Sequence, residues 1–173
     1  MRKLTVTKLL VGFAVIASSF SAIADDRKTI SIPAGSIFDA ATLADGYAPI
    51  SGSKNDPLQI TFDVAPTEAI LRQAKPIKID FCNAYGDGYA ELSSERIRVH
   101  IKGFSCIASN PNTLYEAKTD GFVFDKADMK SSIKGELVAR MGKEGKPEGF
   151  LKFNSDKIVS IVTKTSMELI ESK

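Results

Sequence analysis

The chain has no tryptophan, a single histidine and only two cysteines among its 173 residues. Each scarcity removes a class of chemistry. A histidine-based metal site needs several converging ligands, and no Cys/His cluster accompanies His100. Redox-active cysteines sit close together as Cys-x-x-Cys at a helix start, whereas Cys82 and Cys106 lie far apart. Gly-x-Ser-x-Gly, a phosphate-cradling glycine loop and a calcium-loop pattern are all missing. Ser131-Ser132-Ile133-Lys134 satisfies Ser-x-x-Lys, and Ser155-Asp156-Lys157 and Lys164-Thr165-Ser166 loosely echo the later penicillin-binding motifs. Those motifs converge on one cleft of a much larger, half-helical domain, and here they crowd into one short stretch. Asp87, Glu91 and Glu95 match no known cation loop. No catalytic residue, metal ligand or cofactor is assigned, and the chain is not expected to be an enzyme.

Long apolar runs are equally scarce. The longest, Leu9–Ile16, follows Arg2, Lys3 and Lys8 and precedes the small residues Ser21-Ala22-Ile23-Ala24. That order is a secretory signal peptide with Asp25 as the first mature residue. A bilayer span needs about 20 apolar residues, and this core is roughly half as long. No cysteine follows it to carry a lipid, and no later stretch is suited to crossing a membrane as a helix. Cleavage after Ala24 removes 3 of the 23 basic residues and none of the 21 acidic ones, leaving a formal charge of −1. A chain so balanced lacks the basic excess of a general nucleic-acid binder. Residues 25–173 suit one domain with a real core, and ten phenylalanines with scattered glycines suit a soluble secreted domain.

What the chain has in quantity is period-two alternation, the mark of strands with one buried face. Leu58, Ile60, Phe62 and Val64 alternate with Gln59, Thr61 and Asp63. Ile77, Ile79 and Phe81 alternate with Lys78 and Asp80. Ile97, Val99 and Ile101 alternate with Arg96, Arg98, His100 and Lys102. Shorter strands are expected at Lys28–Ile32, Gly121–Phe124, Ile133–Arg140 and Phe150–Phe153. Turns are expected at 51–57, Gly86-Asp87-Gly88, Asn110-Pro111-Asn112 and Gly142–Pro147. The pattern predicts a mainly β domain, an antiparallel barrel or sandwich with little helix. Ala65–Ala74 suits one or two helical turns. The tail Ser155–Glu171 fits a helix through Ile158, Ile161, Val162 and Leu169, or a strand through its β-branched content; the helix, capped by Asn154 or Ser155, is the reading adopted.

Cys82 and Cys106 bracket one such β unit. In an oxidising compartment they are expected to form a structural disulfide. The row Arg96, Arg98, His100, Lys102 reads either as a solvated basic face or as a docking strip for an acidic partner.

Several blocks resemble, in order, the periplasmic C-terminal domain of the TraB/TrbI family, subunits of type IV secretion and conjugation machines. The first is Ile32-Pro33-Ala34-Gly35-Ser36, with Leu43 and Ala48-Pro49 following, and the second is Asp56-Pro57-Leu58. The most specific is Cys82, Tyr85-Gly86-Asp87, Leu92-Ser93-Ser94-Glu95-Arg96 and Phe104-Ser105-Cys106. The fourth is Gly121-Phe122-Val123-Phe124-Asp125, with Ile133–Val138 and Gly142 downstream. The resemblance spans about residues 31–145. It implies a periplasmic β-barrel-like domain, associated with the outer membrane through its complex, in which Glu95 and Arg96 make structural pairs or subunit contacts.

Departures from the family are specific. A cleavable signal stands where family members carry a cytoplasmic segment, a membrane helix and a proline-rich stretch. Gly88–Glu91 intervene before the Leu-Ser-Ser-Glu-Arg run, and the charged tail 146–173 replaces the apolar helices of the family's outer-membrane pore. The expected function is therefore a non-enzymatic accessory or structural subunit of such an apparatus. Its partners would be other secretion subunits or further copies of itself, without nucleic acid. The rival reading is a free-standing periplasmic binding or regulatory module that keeps the fold alone. Mass analysis of the exported protein should show an N-terminus at Asp25; recovery of an intact Met1 would refute cleavage.

Overall fold

The computed structural model describes residues 28–50, 57–65, 77–109, 112–141, 145 and 147–172. The expected signal peptide, the expected helical turns at 65–74 beyond Ala65 and most of the turns expected at 51–57, 110–112 and 142–147 lie outside the described residues. Alternating side chains become strands almost throughout: β1 (Thr29–Ile32), β2 (Ile37–Thr42), β3 (Gly46–Pro49), β4 (Leu58–Val64), β5 (Ile79–Glu91), β6 (Arg96–Ser109), β7 (Asn112–Asp125), β8 (Lys130–Ser131), β9 (Ile133–Lys134), β10 (Glu136–Met141), β11 (Pro147–Phe153), β12 (Ile158–Thr163) and β13 (Met167–Glu171). The expectation of a mainly β, antiparallel domain holds.

Pairing in the main sheet runs β1-β13-β7-β12-β2-β4-β5-β6-β9, and a further pairing of β7 with β6 closes six strands into a ring. β8 joins β7, while β10, β11 and β3 form a separate three-stranded sheet. The closing seam joins the two ends of the chain. Thr29 opposes Ile170 in β1–β13, and Ile37 opposes Val162 in β2–β12. Both pairs belong to one continuous register, interrupted on both strands at the same level. There the Gly35 N–H donates to the Thr163 carbonyl at 2.7 Å, and the Thr163 N–H donates to the Ser36 carbonyl at 3.1 Å. Closure of this kind removes open edges from the ring.

The inward face of the ring is apolar. Phe38, Phe62 and Phe104 are fully buried beside Ile60, Ile97, Ile101, Val123, Val159 and Ile161, and the Phe38 and Phe104 rings lie 5.1 Å apart in a tilted arrangement. β4 buries Ile60, Phe62 and Val64, as its alternation dictates. So does the Ile97, Val99, Ile101 face of β6.

Four expectations need correction. The tail is two strands, not a helix: Val159, Ile161 and Thr163 are buried on β12, and Met167 and Leu169 on β13. β-branched side chains on a pleated strand bury one clean face there. Gly86-Asp87-Gly88 is no turn but lies inside β5, opposite Ile101, His100 and Val99. These glycines serve close approach, because a Cβ at Gly88 would sit 2.6 Å from Ile60 Cδ1 and one at Gly86 would collide with the His100 carbonyl. Phe81 does not continue the buried face of Ile79. An irregularity between them shifts the register and turns Phe81 outward, 43% exposed. Finally, Ile133–Arg140 is not one strand. It splits at Gly135 into β9 on the main sheet and β10 on the small one.

Cys82 and Cys106 are directly opposed on β5 and β6, fully buried and joined as a disulfide across a sequence separation of 24. In the chain-entropy account a loop of this length restricts the unfolded chain by about 3.5 kcal/mol. Cys106→Ser should therefore lower unfolding stability by about 3 kcal/mol in chemical denaturation. An unchanged midpoint would mean that the sheet holds this pair in place without the bond.

Candidate functional site

The run Leu92-Ser93-Ser94-Glu95-Arg96 forms the turn between β5 and β6. Leu92–Ser94 make one 3-10 turn, closed by Glu95 in the left-handed region at φ 51°. The Ser94 hydroxyl donates to Glu91 Oε2 at 2.8 Å, and the Glu95 carbonyl accepts the Gly135 N–H at 2.9 Å. Gly135 and the two-residue β9 are thereby held against the start of β6, where Arg96 and Ile97 oppose Lys134 and Ile133.

Arg96 was expected at the exposed start of a basic row. It is instead 7% exposed. β7 accompanies β6 only as far as the His100–Phe122 pair, and beyond it the 126–132 loop roofs Arg96. The guanidinium donates to Asp128 in bidentate fashion, Nη1 to Oδ2 at 2.6 Å and Nη2 to Oδ1 at 3.1 Å. Nη2 also donates to the Ser132 carbonyl at 2.8 Å, and Nε to Ser132 Oγ at 2.8 Å and the Ser131 carbonyl at 3.2 Å. Met129 at φ 57° and Ser132 at φ 84° are non-glycine residues in left-handed backbone, a strained geometry tolerated where surrounding bonds over-determine it. The contacts that Ser131 and Ser132 make with Arg96 supply that determination.

Asp125 completes the cluster. It shares parity with Gly121 and Val123, so its carboxylate points inward and is fully buried. Oδ2 lies 3.1 Å from the Lys157 ammonium and 4.0 Å from Arg96 Nη2. The N–H groups of Ala127 and Lys134 donate to it at 3.0 and 3.1 Å. Burial pushes this carboxyl upward, but the two N–H bonds and the Lys157 ammonium outweigh burial and hold it below the ordinary value of 3.8. The Arg96 hydrogen bond is the main cause that depresses Asp128.

The remainder of the basic row lies on the outer face, and each member meets its own acid. Arg98 Nη2 is 2.5 Å from Glu91 Oε1, His100 Nε2 is 2.7 Å from Asp120 Oδ1, and Lys102 Nζ is 2.5 Å from Asp87 Oδ2. Asp87 is buried on that face beneath Lys102, and it also accepts from Gln59 Nε2 at 2.6 Å and the Tyr89 hydroxyl at 3.4 Å. Burial raises its carboxyl, and the bonds from Lys102, Gln59 and Tyr89 together carry it below the ordinary range. A groove beside the row is lined by Arg98, Phe122, Ser131, Ser132 and Lys164. Among the described residues no group of three or more His, Cys, Asp or Glu is placed to hold a metal ion.

The structure thus joins Arg96 to Asp125, both present in the quoted blocks, and adds Asp128, Ser132 and Lys157, which sequence reasoning missed. Parity was a usable signal for Asp125, since it continues the inward face of Gly121 and Val123. Asp128 and Lys157 reach the cluster through a loop and a distant turn and leave no periodic trace. No family model matches the chain, and no curated protein matches it.

Arg96→Ala should cost about 3 kcal/mol, because it removes a cation from beside buried Asp125 and takes the donors from the Ser131 and Ser132 carbonyls. Asp125, Asp87 and Asp128 are all held below the unfolded value, so the stability they contribute is complete above that value and is lost as pH falls through the folded ones. Thermal midpoints should hold steady from roughly pH 7 to 5 and then decline in acid. Asp125→Asn should start less stable and decline less steeply below about pH 4; an unaltered acid slope would remove Asp125 from the account.

Proposed function

We propose that the chain is a non-enzymatic accessory or structural subunit of a type IV secretion or conjugation apparatus, acting by protein contacts in the periplasm or at the outer membrane. One observation carries the reading. Two of the blocks that resemble the TraB/TrbI domain, the third and the fourth, meet at one cluster. Arg96 of the third block is 4.0 Å from Asp125 of the fourth, Lys134 of its downstream segment donates to Asp125, and Gly135 donates to Glu95. In this reading the family-like residues are a construction device, and the surface is left to make contacts.

The internal pairing of Arg98, His100 and Lys102 favours a second reading, a free-standing periplasmic module. A row whose charges are already matched has little left for an acidic partner.

Gentle affinity purification of the tagged protein from its native envelope separates the two. Recovery with other secretion-channel subunits in a large particle is expected. Recovery without them, from cells in which the machine is assembled, would overturn the subunit reading in favour of the free-standing module.

A further inference from the structure

Among the described residues the sheet edges left by the closed ring are few, and all but one are blunted. β1 is four residues long and runs into Pro33. β3, at one side of the small sheet, is four residues long and ends in Pro49, which offers no N–H. β8 and β9 have two residues each. β10 is different. It is six residues long, Glu-Leu-Val-Ala-Arg-Met, with no proline or lysine and an unbroken register against β11. Among the described residues it pairs with β11 alone. Two large apolar side chains stand out from it, Leu137 at 56% and Met141 at 73% exposure. An edge strand that is long, regular and free of proline and bulges, with only Glu136 and Arg140 to guard it, is a template for pairing with another strand of matching charge.

We propose that β10 pairs antiparallel with β10 of a second copy of this chain about a two-fold axis through Val138, joining two three-stranded sheets into one of six. The pattern of charges selects both partner and register. With Val138 on the axis, Glu136 of each copy stands opposite Arg140 of the other, so two cross-strand ion pairs form by symmetry once each exposed Arg140 turns from the Tyr47 ring, where its guanidinium lies 4.2 Å from the centroid, to the open edge. Leu137 then faces Ala139, and Met141 lies across from Gly135, which leaves it room. A same-face slip in one direction carries Arg140 past the start of β10, toward the basic Lys134 of β9, and leaves it without an acid. The opposite slip sets Arg140 against Val138 and carries Glu136 past the end of the strand. A one-residue slip would bring opposite faces together. Leu137, Ala139 and Met141 share the face of buried Leu151, so pairing extends that apolar face across the axis. This interface is independent of the secretion reading, because it requires only a second copy.

Sedimentation velocity of the purified chain, as its host processes it, over the micromolar to millimolar range tests the proposal. A monomer–dimer equilibrium is expected. Arg140→Glu and Glu136→Arg should each weaken it about tenfold or more by setting like charges opposite, and the double variant should recover dimerisation because the pairs are restored in reverse. Circular dichroism of each variant establishes that the fold is intact. A monomer throughout the range overturns the proposal, as does a dimer indifferent to both single reversals. A chain that associates only with a different protein overturns the choice of a second copy.

Discussion

A guanidinium carries five N–H donors and a full charge, and none of these can be left unmatched once water is removed. Arg96 imposes that demand at the point where β6 loses β7 as a neighbour. The 126–132 loop answers it with a bidentate carboxylate, three backbone carbonyls and a serine hydroxyl, and in doing so accepts left-handed backbone at Met129 and Ser132. Asp125 lies on the inner side of the same loop and is balanced by Lys157 from the turn before β12. One buried charge thereby ties the β5–β6 turn, the end of β7, β9 and the approach to β12 into a single unit. Buried ion clusters are poor sources of net stability, but breaking one is costly. The cluster's value is in specifying this arrangement over others.

The outer face follows different rules. Its charges are paired strand by strand in solvent, and they contribute little individually. Asp87 is the exception, because it is buried beneath Lys102, Gln59 and Tyr89. Lys102 occupies the irregular position in β6, skipped in the pairing with both β5 and β7, and that bulge lets its stem fold back over the neighbouring strand. A bulge and a pair of glycines, not a turn, bring this carboxylate and ammonium together.

Much of the fold was legible because period-two alternation is local. β4 and the buried face of β6 could be read directly from Leu58–Val64 and Ile97–Ile101. The disulfide was legible too, since the chain offers only one pair. The errors arose where local signals were ambiguous or the answer lay elsewhere. Gly86 and Gly88 carry the composition of a turn, yet the reason for glycine is steric and comes from Ile60 and the His100 backbone, distant in sequence. Ile158–Leu169 satisfies both periods, and only pairing with β2, β7 and β1 decides for strands. Arg96 obeys its parity in pointing outward, and no periodicity could announce that a loop 30 residues later would cover it.

The seam between the first and last strands sets an order of events for the growing chain. Thr29 finds its place only against Ile170, and Ile37 only against Val162. A polypeptide made from its N-terminus can pair Ala40–Thr42 of β2 with β4 early, but it must hold β1 and the start of β2 in waiting until β12 and β13 have emerged. The β4–β5–β6–β7 meander can form by itself, but it remains an open sheet with a naked inner face. Arrival of β12, between β2 and β7, is what converts that sheet into a closed ring. Chains cut short before β12 would leave the phenylalanine-rich interior exposed, and quality control could recognise them by that surface alone.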